Sequence, residues 1–440
     1  MTGTTHVLTV LFALASVAEA IPSSPLAFEH AMKEALAHVD GLLKSPPNNL
    51  RNLPPVIANP TTNQRTIKDG EIPRYVIDYA PLVHLYSEER YLPYDVKEYV
   101  TNLHVEFENG TTVPGTEKNM NIRKLGDLAK DYPNEFLIMT SNSNFDADPE
   151  WITGVKNKPS LIDGEIENAP ATLIVVDKGN GWVDSYWFYF YSFNLGPFVM
   201  GAGPYGNHVG DWEHSLVRFY KGTPVIVWMS AHGGGGGFYY KHLEKYDLDP
   251  KHPIIFSARG THANYPSVGQ HPHDLPYEIL CDFTDRGPLW NPTRNYLGYT
   301  YDGVKVHPSI GRNANPKHTG REWLYGDWLY FRGAWGDQKL PSSDPRQKYN
   351  IIGGYKYILG PTGPLHKNLD RIKPCERTKW WNFWGGCNIR TNIKWGVGVE
   401  SEGNNCGNMF NHIRPLWLRK VINTVTWGGG FCFLVDIFYG

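Results

Sequence analysis

The sequence predicts a mainly β protein, an antiparallel β-sandwich carrying only short helices, and three observations lead there. Aromatic residues make up 14% of the 440 positions, with 15 Trp and 26 Tyr set among 45 Gly and 33 Pro. Rings that favour strands, interleaved with residues that favour turns, suit many short strands better than a helical bundle. Apolar runs of strand length recur at Ala171 to Val176, Ser185 to Phe193 and Val225 to Ala231, with Leu216 to Phe219 and Ile254 to Ser257 adding two more. They follow one another at spacings of roughly 10 to 30 residues without a helical period between them, which argues for packed antiparallel sheets over a βαβ arrangement.

Taken in order, residues 1–20 read as a signal peptide. Val7 to Val17 is apolar but too short for a membrane span, and Ala18-Glu19-Ala20 has the small-x-small form of a cleavage site. Residues 21–73 read as an extension: Phe28, Met32, Ala35, Val39, Leu42 and Leu43 recur at helical spacing, and a Pro-rich linker follows from Pro46 to Pro73. The main domain is expected over 74–366. It opens with a strand ending near Tyr86, a turn through Pro93, a helical turn from Asp95 toward Val100 and a half-buried strand from Asn102 to Phe107. Asn109-Gly110-Thr111 is a glycosylation sequon. Residues 139–171 read as surface loop, and the five glycines from Gly233 to Gly237 as a flexible loop, since they lack the closing Lys-Ser/Thr of a phosphate-binding loop.

Residues 367–440 form a Trp- and Cys-rich extension. Cys375, Cys387, Cys406 and Cys432 suggest two disulfides in a secretory-pathway protein, with all three pairings open; no C-x-x-C pair favours zinc. Val421 to Val435 falls short of the roughly 20 apolar residues a span requires. It reads as a buried strand pair or an interfacial segment, with no transmembrane span in the mature chain. Lys plus Arg number 42 against 44 for Asp plus Glu, a net charge of -2, so no global field draws the protein to nucleic acid or to an anionic bilayer.

The chemistry concentrates in Gly206 to His214, GNHVGDWEH. In an extended strand Asp211 and Glu213 share a face while Trp212 enters the opposite layer, and His208 lies at the strand start. Two carboxylates on one face repel unless a cation or a proton relieves them. His208, Asp211 and Glu213 are therefore candidate ligands of a divalent cation, with oxygen donors favouring Ca or Mg over Zn. Two other strand ends bring polar groups, His232 after Val225 to Ala231, and Arg259, His262, Asn264 and Tyr265 after Ile254 to Ser257. His232, Arg259, Asn264 and Tyr265 are candidate contacts for a ligand such as a glycan or lipid headgroup. Were the site a metal-dependent hydrolase of glycans or phosphoesters, Glu213 or His262 would be the base and Arg259 would stabilise developing negative charge. A third reading makes these residues a buried polar network. No G-x-S-x-G elbow supports a serine hydrolase.

The segments PLVHLYSEERYLPYD, YWFYFYSFNLG, HVGDWEH, ARGTHANY, YFRGAWG and GPTGP, in this order across residues 75–366, resemble the fungal vacuolar protein sorting-associated protein 62 family. That resemblance implies a part in protein targeting to the vacuole, and so a secreted or vacuolar-lumen location. HVGDWEH followed by VWMSAHGG is also similar, more weakly, to the His-x-x-Asp-Trp-Glu core of the necrosis- and ethylene-inducing-like proteins. That likeness implies a secreted β-sandwich with a divalent cation at His208, Asp211 and Glu213 and a sphingolipid sugar headgroup as ligand. Here Asn194 to Met200 lacks the upstream aspartate of those proteins, and Gly210 stands in place of their second histidine.

Overall fold

A computed structural model of the chain describes residues 53–198, 203–272, 281–309, 325–350 and 354–376, together with 387, 389–391, 393, 417 and 421. The expected signal peptide, the 28–44 helix, Cys406, Cys432 and most of the C-terminal extension lie outside the described residues. The chain divides into two compact units, Met1–Pro55 and Val56–Gly440. All the elements described belong to the second.

Short α-helices are present at α1 (Arg74–Asp78), α2 (Val96–Thr101), α3 (Ile122–Asp131) and α4 (Glu150–Thr153). The strands begin with β1 (Leu82–His84), β2 (Leu103–Phe107), β3 (Leu137–Ser141), β4 (Ala171–Asp177), β5 (Trp182–Asn194), β6 (His208–Tyr220), β7 (Thr223–Ala231) and β8 (Gly234–Tyr239). They continue with β9 (Lys245–Tyr246), β10 (Asp249–Ser257), β11 (Asn264–Tyr265), β12 (Gly269–Pro272), β13 (Cys281–Thr284), β14 (Leu289–Trp290), β15 (Tyr296–Tyr301) and β16 (Val306–Pro308). Past these lie β17 (Tyr349–Asn350), β18 (Gly354–Tyr355) and β19 (Ile389–Arg390).

An eight-stranded sheet runs β16-β15-β4-β5-β6-β7-β8-β19, antiparallel except where β15 joins β4 and β19 joins β8. A smaller sheet runs β11-β10-β1-β14, with β1 parallel to β10 and β9 also paired to β10. Strand alternation divides the core. Tyr186, Phe188 and Phe190 of β5 face a layer built from α2, α3, α4, β2 and β3, whereas Trp187, Tyr189 and Tyr191 face the smaller sheet. Tyr189 meets Trp290 of β14 ring to ring at 5.3 Å across that second interface. The mainly β sandwich is thus as expected, and the aromatic density of β5 is core on both sides. Each such ring fully withdrawn from water contributes roughly 2–3 kcal/mol.

Four expectations change. The domain begins near Val56 instead of 74, because the Pro-rich stretch straps the large sheet: Thr66 and Ile67 donate backbone N–H to Asp177 at 2.6 and 2.9 Å, and Ile72 is buried. Residues 139–171 are no plain loop, since β3 and α4 lie partly or wholly there and bury Met139, Trp151 and Ile152. The glycine run is strand β8, paired with β7 from Ala231–Gly234 to Ile226–Tyr239. Gly235 is a packing requirement: a Cβ there would stand 2.5 Å from the Trp228 indole and 2.2 Å from the Met229 carbonyl. The boundary at 366 is likewise no break, because Lys178 Nζ and the Tyr186 hydroxyl both donate to the Leu369 carbonyl, at 2.7 and 3.0 Å. Cys375 is bonded to Cys387, which settles one of the open pairings.

Candidate functional site

The site grows from β6. Tyr189 pairs with Glu213 and Tyr191 with Asp211, so both carboxylates emerge on the face toward the smaller sheet, while Trp212 packs into the opposite core. Beyond Ser215–Met229 the regular β6–β7 register ends, and Ser230 Oγ takes over as acceptor for the His214 N–H at 2.8 Å. The same hydroxyl donates to Oε2 of Glu213 and receives the Asn264 amide at 3.5 Å. Oδ1 of Asn264, on a residue only 2% exposed, has no partner.

Asp211 is held by His262. Nδ1 of His262 lies 2.9 Å from Oδ2 of Asp211, and Nε2 lies 3.0 Å from the Tyr91 carbonyl and 3.8 Å from Oε1 of Glu89. The imidazole stacks on Tyr191 with ring centroids 3.7 Å apart and planes 3° from parallel. Burial opposes its charge, but the hydrogen bond to Asp211 and the neighbouring carboxylate of Glu89 prevail and hold the pKa up to about 9. Both ring nitrogens of His262 are thus engaged, Nδ1 with Asp211 and Nε2 with the Tyr91 carbonyl, which leaves no free nitrogen facing a substrate. Burial first, and then the charge of Asp211, push Glu213 up to about 8, so near neutral pH this carboxyl keeps its proton.

His208 begins β6 with Nδ1 2.7 Å from the Gly210 carbonyl. A carbonyl only accepts, so Nδ1 carries the hydrogen and Nε2 keeps its lone pair, the tautomer that ligating histidines adopt through such a second contact. Gly210 cannot stand in for another ligand. Its φ is +67°, and a Cβ there would fall 1.9 Å from the Trp335 carbonyl and 2.7 Å from the Tyr99 hydroxyl.

The remaining candidates divide into two places. His232 and Tyr265 converge on Asp282, with His232 Nε2 and the Tyr265 hydroxyl each 2.7 Å from Oδ2, while Thr261 donates to Oδ1 at 2.8 Å. Both His232 (φ 54°) and His262 (φ 56°) hold left-handed backbones, a conformation that costs a non-glycine residue of order 1–3 kcal/mol and collects at functional sites. Arg259 is exposed, its guanidinium 5.9 Å from the Tyr86 ring centre, with no ion pair to either β6 carboxylate among the described residues. His271 is buried, stacked on Tyr265 at 3.9 Å and bonded to Thr284 Oγ1 at 2.8 Å. His273 and Asp274 lie outside the described residues.

Sequence reasoning missed Glu89 and Asp282, which organise the two histidines. Glu89 also accepts the Gly260 N–H at 2.7 Å, tying the first loop of the domain to the third strand end. Its signal was the YSEERY segment, read above for resemblance and not for chemistry. Asp282 carried no motif.

Donor chemistry fits a hard divalent cation in part. Oδ1 of Asp211, Oε1 of Glu213, the orphaned Oδ1 of Asn264 and Nε2 of His208 take no hydrogen bond among the described residues. The ligand atoms of His208, Asp211 and Glu213 do not, however, all lie within 4.8 Å of one another; among the described residues Asp69, Asp302 and His307 are the trio that does. No described helix is long and apolar enough to cross a membrane.

Comparison with known proteins bears on the whole chain. The family description "Vacuolar protein sorting-associated protein 62" matches residues 56–273. The Saccharomyces cerevisiae protein of that name is 46% identical over 423 residues, covering 89% of this chain and 88% of the relative. TDA6 of the same yeast, provisionally named a vacuolar protein sorting-associated protein, is 48% identical over 425 residues, covering 88% of each. Among solved structures, NLPPya in complex with mannosamine overlaps 47% of this chain and 75% of its own at 13% identity, with a TM-score of 0.23. Necrosis and Ethylene inducing Protein 2, from the agent of cocoa's Witches Broom disease, overlaps 47% and 73% at 12% identity, also with a TM-score of 0.23. Scores this low carry no argument about the site. The chain belongs to the vacuolar protein sorting-associated protein 62 family.

Proposed function

We propose that this family member works in the secretory pathway in delivery of proteins to the vacuole, and that its β6 site binds a divalent cation, Ca or Mg, through which it engages a hydroxyl- or phosphate-bearing headgroup of a glycan or lipid. The vacuolar part rests on family membership and on the names of the yeast relatives. The observation that carries the site is the pairing of Asp211 and Glu213 on one face, strained enough that Glu213 is pushed up to about 8. Asp211 and Glu213 would hold a divalent ion in place of that proton, which would relieve the repulsion, with His208 Nε2 and Asn264 Oδ1 as further donors. When bound, the ion would supply a positive centre for hydroxyl or phosphate oxygens; the chain's own part is to orient Asp211 through the Glu89–His262 pair and to exclude water.

A hydrolase is the weaker reading, since a base is what the geometry lacks. Glu213 holds its proton near neutral pH and His262 has no free lone pair. Titration of purified full-length protein with Ca and Mg, followed by calorimetry in buffers of differing ionisation enthalpy, tests the reading. Saturable binding that releases about one proton near pH 7, and that is lost in Asp211→Asn/Glu213→Gln, is expected. Equal and weak binding by wild type and double variant sinks it.

A further inference from the structure

On the opposite face of β6, four buried N–H donors gather without acceptors. His214 is 1% exposed, and neither of its ring nitrogens takes a hydrogen bond. Its ring lies 5.0 Å from the indole of Trp228, whose Nε1 is also unpaired. Arg371 crosses both neighbours, its guanidinium 4.7 Å from the Trp228 ring centre and 5.1 Å from that of Tyr186. Nη1 of Arg371 donates to the Lys367 carbonyl at 2.9 Å, but Nε and Nη2 have no acceptor. The donors thus come from β6, β7 and the segment following residue 366.

The local charge is positive. Burial, then Arg371 and Lys367, hold the His214 pKa well below its ordinary value. Glu376 has its Oε2 3.8 Å from His214 Nε2, too far for a hydrogen bond, and the Asp184 and Asp370 carboxylates act on the Tyr186 hydroxyl nearby. Each buried donor left unmade costs roughly 1–3 kcal/mol, and a buried guanidinium more. The buried Arg218 nearby shows how this chain treats such a group elsewhere: both Nε and Nη2 are satisfied by Asp184, at 2.7 and 2.8 Å. Arg371 has the same fork and no carboxylate to fill it.

We propose that Arg371, His214 and Trp228 form a buried site for one small oxyanion of the phosphate or sulfate class, separate from the β6 carboxylate site and facing away from it. An oxyanion offers several acceptor oxygens to the Arg371 fork, to one His214 nitrogen and to the indole N–H, which one water cannot do. Near-complete burial restricts the occupant to a single free ion and excludes a headgroup on a chain.

The test is thermal unfolding and calorimetry of the full-length protein with inorganic phosphate or sodium sulfate, against sodium chloride at equal ionic strength. Saturable stabilisation by phosphate or sulfate is expected. Arg371→Met should abolish it and His214→Phe should weaken it at least about tenfold, the loss of a charge-assisted bond. Both variants should match or exceed wild type in unfolding temperature without the oxyanion, because each removes unmet donors. Glu376→Gln should bind more tightly. The proposal is overturned if wild type shows no saturable response, or if Arg371→Met responds as wild type does, meaning an adventitious ion only. Should Arg371→Met fail to fold, weaker binding by Glu376→Gln would overturn it equally.

Discussion

His262 Nδ1 lies 2.9 Å from Asp211 Oδ2, although 51 positions separate the two residues in the chain. The bond joins the end of the smaller sheet to the middle of the larger one, and with Glu89 on the far side it places one cation between two anions. What this network does for stability can be measured directly.

With a folded pKa near 9 against an ordinary 6.5, the His262 contribution is fully present below about pH 6.5 and is lost as pH climbs through 9. Its size is about 3 kcal/mol from the shift alone. Denaturant midpoints of wild type and His262→Gln, compared from pH 6 to pH 10, should converge at the alkaline end. A gap that stays constant across that range would refute a charged His262.

Glu213 carries the opposite consequence for its own site. A carboxyl raised from 4.5 to about 8 imposes no penalty below pH 4.5 and an increasing one as pH rises to 8. With divalent cations chelated, Glu213→Gln should match wild type near pH 4 and exceed it by up to about 4 kcal/mol at pH 8. Unchanged relative stability over that interval would contradict the shared burial of Asp211 and Glu213.

Gly210→Ala should be among the most damaging single substitutions in β6. It places a methyl 1.9 Å from the Trp335 carbonyl at a φ of +67°, so a loss of about 3 kcal/mol or more in chemical denaturation is expected. A near-neutral result would mean that the Trp335 segment moves freely from the sheet.

Arg218 and Asp184 form a fork-to-fork pair at 2.7 and 2.8 Å, 3% and 0% exposed. Asp184→Asn leaves the guanidinium uncompensated and should cost about 3–5 kcal/mol, whereas Asp184→Leu/Arg218→Met should cost much less. A double variant as unstable as the single one would show that packing, and not charge pairing, fixes this spot.

Strand content and the shared face of Asp211 and Glu213 were legible in the sequence, because a period of two is a local property of extended backbone. Tertiary structure alone decided the partners. Glu89 reaches His262 and Gly260 from a loop about 170 positions earlier, and Asp282 gathers His232 from one segment and Thr261 and Tyr265 from another. The glycine run shows the same limit: read locally it is a loop, yet it pairs as a strand, and Trp228 on the neighbouring strand leaves no room for a side chain at Gly235. Alternation is written into adjacent residues, but hydrogen-bond acceptors, ring contacts and the fit of a missing Cβ are set by segments that meet only once the chain has folded.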